Sequence, residues 1–297
     1  MKKIIFAFAW AATFAAPQVF AVELEPSIKY WISEGKTTWN HNAQPASPSL
    51  GNPTSQLTYS GMKSNIFELG LKAQEGDYFG NLSLGVGNID SGNLQDEDWL
   101  AGQVKFSDTN SSIKGDKLSY WVLDVGYNRF KTEQSTVGGL VGYGEYEETI
   151  DAFGATNNLA GGARLVSEST RVITNDAKWK FFKLGINGKT KLNGQLTFWG
   201  ELAYLPFVKL TNDDSHYLRS DLGPVPNIKS NGSGDGWMWQ VEGRYYVTKA
   251  ASLSLAYRDW RFKADGTIRF GSSTTSLPLN KFETSRNGVM LGFNYLF

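Results

Sequence analysis

The sequence contains no cysteine, which excludes disulfide bonds and thiolate chemistry. It has only two histidines, His41 and His216, and no Cys/His grouping that would hold zinc. It lacks net charge, with 29 basic and 29 acidic residues, so no electrostatic footprint points to nucleic acid. No G-x-S-x-G segment marks a serine nucleophile. Beyond the N-terminus no stretch approaches the ~20 continuous apolar residues of a membrane-spanning helix. What is plentiful is aromatic: Phe, Trp and Tyr make up 14% of the chain, although mean hydropathy is below zero. That pairing suits a transmembrane β-barrel, where apolar residues occupy alternate positions and aromatics form girdles at both interfaces.

The first residues read as a secretory signal. Lys2 and Lys3 supply the charged start, Ile4 to Ala16 the apolar core, and Val19-Phe20-Ala21 a small-residue cleavage site. Residues 1–21 are therefore expected to be removed, leaving 22–297 as one domain beginning at Val22. From Ser27 onward the dominant hydrophobic period is two. Ile28/Tyr30/Ile32, Phe67/Leu69/Leu71, Leu82/Leu84/Val86 and Trp121/Leu123/Val125/Tyr127 open the series. Val289/Leu291/Phe293/Tyr295/Phe297 close it. Ten such runs are separated alternately by long polar stretches (about 41–56, 90–116, 152–175, 215–234 and 266–281) and by short turns.

An even strand count with alternating loop lengths predicts an all-β fold: a ten-stranded antiparallel up-and-down transmembrane β-barrel. Closure is needed because an open sheet edge in hydrocarbon leaves backbone donors unpaired. A soluble sandwich or lipocalin-like barrel is the lesser alternative. The faces opposite the apolar rows carry Glu68, Lys72, Asp124, Lys183, Glu201, Glu242, Arg244 and Arg258, which are expected to pair inside a narrow lumen.

Two polar segments stand out. Asp96-Glu97-Asp98-Trp99 follows the third run and Asp213-Asp214-Ser215-His216-Tyr217 follows the seventh. In extended chain, residues i and i+2 share a face, so each segment offers two polar groups to one side. Both follow strands running the same way, which places both at the outer rim. A carboxylate beside an imidazole raises its basicity, and an opposed carboxylate pair holds a proton or a water. By spacing alone, a solvated or cation-holding rim fits these segments as well as catalysis does. One conflict is visible. Phe198, Leu202 and Tyr204 face lipid, and unbroken alternation would turn Asp214 and His216 outward too. Pro206 is the expected bulge that reverses the face.

The chain resembles the omptins, ten-stranded outer-membrane endopeptidases. The resemblance rests on Gly35-Lys36-Thr37, Asp96-Glu97-Asp98-Trp99, Gly142-Tyr143-Gly144-Glu145, Asp214-Ser215-His216-Tyr217, Gly243-Arg244-Tyr245-Tyr246-Val247-Thr248 and the terminal Gly292-Phe293-Asn294-Tyr295-Leu296-Phe297. It implies an aspartic-type endopeptidase in the cell outer membrane with its active site facing outside. Asp96 and Asp98 are then the aspartate pair and Asp214 and His216 the dyad, with water as nucleophile and no covalent intermediate. Trp39 and Asn212 fall where omptins preferring basic residues carry acids, and Asp108 falls at the adjoining pocket. Both changes remove negative charge that would pair with a substrate Arg or Lys, so a larger or apolar side chain is expected there. Of the family's lipopolysaccharide-binding set, Tyr143 and Glu145 match, Lys178 replaces an arginine and Glu147 stands where another arginine belongs. The expected partners are a polypeptide substrate and outer-membrane lipid, with lipopolysaccharide as the lipid required, no nucleic acid, no metal and no other cofactor, for a monomeric barrel. The rival reading is a non-catalytic barrel: a small porin, an adhesin or a structural protein.

Overall fold

The computed structural model describes residues 22–297, so the expected signal at 1–21 lies outside the described residues. The strands are β1 (Glu23–His41), β2 (Ser55–Glu75), β3 (Tyr78–Leu100), β4 (Val104–Ile113), β5 (Asp116–Lys131), β6 (Ser135–Asn157), β7 (Ala163–Lys191), β8 (Leu196–His216), β9 (Ile228–Tyr246), β10 (Ala251–Phe270) and β11 (Leu277–Tyr295). All pairings are antiparallel. β1 pairs with β11 as well as β2, and β5 pairs with both β3 and β6, so ten strands close into a ring. β4 stands outside that ring. It pairs with the upper part of β3 and with the end of β6, forming a hairpin on the rim.

The outer surface follows from the alternation. Ile28, Tyr30, Ile32, Phe67, Leu69, Leu84, Val86, Leu123, Val125, Val141, Leu184, Ile186, Leu202, Val241, Leu253, Leu255, Leu291 and Phe293 are all exposed on the outside. A closed barrel wearing a continuous apolar belt is the arrangement a bilayer demands. Among the described residues no helix is long and apolar enough to cross a membrane.

The lumen holds the paired charges. Arg258 donates to Glu68 at 2.6 Å, Lys183 bridges Asp124 at 2.9 Å and Glu201 at 2.6 Å, and Arg244 bridges Glu25 and Glu242, both at 2.7 Å. Lys72 lies instead over the ring of Phe79, 5.8 Å from its centroid. Above these pairs an aromatic layer crosses the lumen, with Trp31 against Trp260 at 5.4 Å and Tyr120 against Trp260 at 4.7 Å.

The long stretches differ from expectation. Much of 90–116, 152–175, 215–234 and 266–281 is strand rather than loop. β3 runs on to Leu100, β6 to Asn157 and β7 starts at Ala163. These hairpins stand above the apolar belt, where neither face meets lipid. Backbone pairing continues there while the period-two hydrophobic signal stops, so the pattern recorded the membrane rather than the strand.

Candidate active site

The four acid and imidazole side chains come from β3 and β8, and both strands must change face to deliver them. On β8, Phe198, Leu202 and Tyr204 point outward at even positions, whereas above Pro206 the outward residues are Phe207, Lys209, Thr211 and Asp213. The register slips between Leu205 and Val208, so Pro206 sits in the bulge. Leu210, Asn212 and Asp214 are consequently buried.

β3 makes the same change. Leu84 and Val86 face out, but Leu94 and Asp96 share their parity and face in. The slip lies opposite Ser60–Lys63 of β2, where Gly61 adopts φ +60°, a conformation that costs glycine little. Asp96 is thereby paired with the buried Leu57, and Asp98 with Ser55.

Asp214 is fully buried and His216 nearly so, with Nε2 3.5 Å from the Asp214 Oδ2. That separation is long for a hydrogen bond, and we read it as a charge contact. Neither Asp214 oxygen, nor Asp96 Oδ1, nor His216 Nε2 has a hydrogen-bonding protein partner. Burial, then the neighbouring Asp98 charge, push the Asp96 carboxyl up to about 7, against the pull of His216. Burial also raises Asp98, opposed by the hydroxyls of Ser55 and Ser107 and by Arg219 and His216. For His216 burial works downward, but the Asp214 charge and then Asp96 outweigh it and hold the imidazole above its ordinary value. The two sides of the cleft thus act on one another electrostatically. Their titrations are therefore coupled rather than independent.

The surrounding wall was only partly legible. Trp39 is buried and lies on the pocket side of β1, and Asn212 is buried two residues before Asp214. Asn175, opposite Asp214 on β7, is fully buried, and both its amide atoms and both of Asn212's lack protein partners. Tyr59 is buried within electrostatic reach of both Asp214 and Asp96. Arg219 carries the cation that acts on Asp96 and Asp98, held by a two-pronged contact to Asp221 at 2.8 and 2.7 Å. Nothing in the spacing of Tyr59, Asn175 or Arg219 singled them out.

Asp108, expected at the adjoining pocket, lies on the other face of the β3–β4 hairpin. It pairs across the hairpin with Glu97, on the face opposite Asp96 and Asp98. There it accepts from Gln95 at 3.1 Å and from Asn158 at 2.5 Å, and pairs with Lys105 at 3.1 Å. These partners hold its carboxyl below the usual range against the effect of its burial. Tyr143, Glu145 and Lys178 lie on the outer wall on β6 and β7. Lys178 already contacts Glu145 at 3.3 Å and is bridged by Glu147, so the acid that breaks the expected pattern absorbs the nearby cation. Among the described residues no group of three or more His, Asp or Glu side chains is arranged to hold a metal ion.

The omptin family model matches residues 73–278. The fold is similar to that of the outer membrane protease OmpT from Escherichia coli, with a TM-score of 0.77 at 16% identity over 93% of this chain and 97% of that one. The translocator domain of the autotransporter NalP from Neisseria meningitidis matches with a TM-score of 0.42 at 12% identity, over 92% and 88% of the two chains. No curated protein sequence matches the chain. With the family model covering more than half of its length, the chain belongs to the omptin family.

Proposed function

We propose that the protein is an outer-membrane endopeptidase that cleaves polypeptides at the outer cell surface with water as nucleophile. The observation that carries this reading is the double change of face. Two strands on different parts of the ring each reverse parity just above the apolar belt, and the result is Asp96, Asp214 and His216 within one electrostatically coupled cleft. Unlike the lumen carboxylates, which are bonded to lysine or arginine, Asp96 and Asp214 are buried without such a partner, an arrangement that costs stability and suits a reacting site.

In this mechanism His216, in contact with Asp214, takes a proton from water as its oxygen attacks the scissile carbonyl carbon. Asp96 and Asp98 hold the same water from the other side. The tetrahedral intermediate collapses as the His216 proton passes to the leaving amine. No covalent enzyme intermediate forms. The pocket that takes the residue beside the scissile bond carries Trp39 and Asn212 rather than acids, so its preferred guest is neutral. Lipopolysaccharide contacts at Tyr143, Glu145 and Lys178 are part of the same reading, with Glu147 competing for the lysine.

Turnover of a mixed peptide library by the refolded protein, with and without lipopolysaccharide, tests the proposal beside His216→Ala. The variant is expected to lose on the order of 10³-fold in kcat/KM. Equal cleavage by both proteins, or none by either under both conditions, would sink it and favour the non-catalytic barrel.

A further inference from the structure

The β8–β9 ladder ends two residues short of His216. Its last pair is Asp214 with Ile228. Continuing that register would set Ser215 opposite Asn227 and His216 opposite Pro226. A proline has no N–H to offer a neighbouring strand, so His216 would lose its backbone partner on that side.

Asn227 fills the gap with its side chain. Its Oδ1 accepts from the His216 backbone N–H at 2.9 Å, and its Nδ2 donates to the His216 carbonyl at 3.1 Å. A carboxamide carries one acceptor and a donor side by side, as a peptide unit does, and here it stands in for the missing strand residue. The Asn227 backbone N–H meanwhile donates to the Asp214 carbonyl at 3.1 Å, and its own carbonyl accepts from Gly271 at 2.7 Å. Asn227 is 2% exposed, so these bonds are shielded from competing water. On the other edge, β7 pairs Ile173 with His216, and the next residue, Tyr217, donates to the Val172 carbonyl at 3.0 Å. Three of Asn227's four bonds therefore end on the peptide units of the dyad itself.

We propose that Asn227 is a positioning residue for the hydrolysis, whose carboxamide completes the strand at His216 and fixes where the imidazole stands between Asp214 and Asp96. This rests on the endopeptidase reading. Its chemistry explains the residue type. Aspartate keeps an acceptor for the His216 N–H but sets a charge against the His216 carbonyl, alanine loses both bonds, and glutamine is one methylene too long.

Having only two histidines makes the test direct. The full chain is refolded with ¹⁵N-labelled histidine, His41→Ala assigns the two imidazoles, and each is titrated by NMR in the parent, in Asn227→Ala and in Asn227→Asp. The groups facing His216 are Asp214 on its own strand, Asp96 and Asp98 across the cleft, and Arg219 on the following loop. In Asn227→Ala, kcat is expected to fall about 10–100-fold while KM changes little, because the geometry is loosened rather than the substrate contacts removed. The His216 titration should move down towards its ordinary range as the contact with Asp214 slackens. In Asn227→Asp it should move up, with kcat between those of the parent and the alanine variant. A shift in electrophoretic mobility on heating reports the folded fraction of each sample, and kcat is referred to that fraction. An alanine variant whose His216 titration and kcat match the parent's would overturn the proposal. So would a loss of activity fully explained by the folded fraction. If the parent cleaves nothing, the endopeptidase reading fails, and the His216 titration alone still decides whether Asn227 positions the imidazole.

Discussion

At the scale of single residues, the pocket and the buried histidine make separate predictions. Asn212 and Asn175 present amide groups without protein partners, so a neutral guest able to hydrogen-bond satisfies them better than a purely apolar one. Kinetics on matched peptides should therefore show no preference for Arg-Arg over neutral residues at the scissile bond. Asn212→Asp should raise the relative kcat/KM for arginine by about 10-fold or more, since it restores a charge-assisted contact. Strong dibasic preference in the parent would contradict this. His41 tests burial without catalysis. It is packed 4.9 Å from Phe270, and desolvation lowers its pKa from 6.5 to about 4. Between those values the unfolded chain binds a proton that the folded one does not, so stability falls as pH drops from 6.5 to 4, by up to ~3 kcal/mol. His41→Phe should flatten that part of a pH series of urea midpoints.

At the scale of strands, Pro206 is the residue to probe. Its bulge was legible because the outward row Phe198/Leu202/Tyr204 conflicted with an inward Asp214, and proline names the place where a ladder yields. Deleting Pro206 should leave the barrel intact, because the lower part of β8 is held by lipid. Removing this extra residue makes both neighbouring ladders continuous, with Tyr204 and Phe207 still outward and Asp214 still inward, so cleavage and the heat-dependent mobility shift should both be retained. Loss of activity in a fully folded sample would place the face change elsewhere. The matching slip in β3 was equally implied by Leu84, Val86 and Asp96, yet no proline marks it. It is shared between β3 and the Gly61 region of β2, so the alternation of β3 implies a slip without marking its position. β4 escaped for a different reason. Its residues, Val-Lys-Phe-Ser-Asp-Thr-Asn-Ser-Ser-Ile, carry little alternation, since Val104 and Phe106 are exposed and within β4 only Ile113 joins the apolar core.

At the scale of the whole molecule, the lumen is organised in layers: ion pairs low in the barrel, the Trp31/Tyr120/Trp260 layer above them, and the acid and imidazole cleft at the rim. The Glu68–Arg258 pair couples β2 and β10, which are distant in sequence and separated in the ring by β1 and β11. Glu68→Ala leaves a buried guanidinium without its counter-ion and should cost about 3–5 kcal/mol in unfolding from detergent or bilayer. Replacing both partners by leucine should cost less. A double variant as unstable as the single one would show that the pair contributes more than mutual compensation.

By itself the sequence determined the ring of strands, the side of each strand that faces lipid, and the identity of the acids and the histidine. The first two are written in alternation; the acids and the histidine were picked out by the resemblance of their segments to those of omptins. Only the tertiary structure decided which polar groups share the cleft. It brought Tyr59, Asn175 and Asn227 in and sent Asp108 to the far face. Each of those outcomes depends on register between strands distant in sequence, and a slip of one residue exchanges inside for outside.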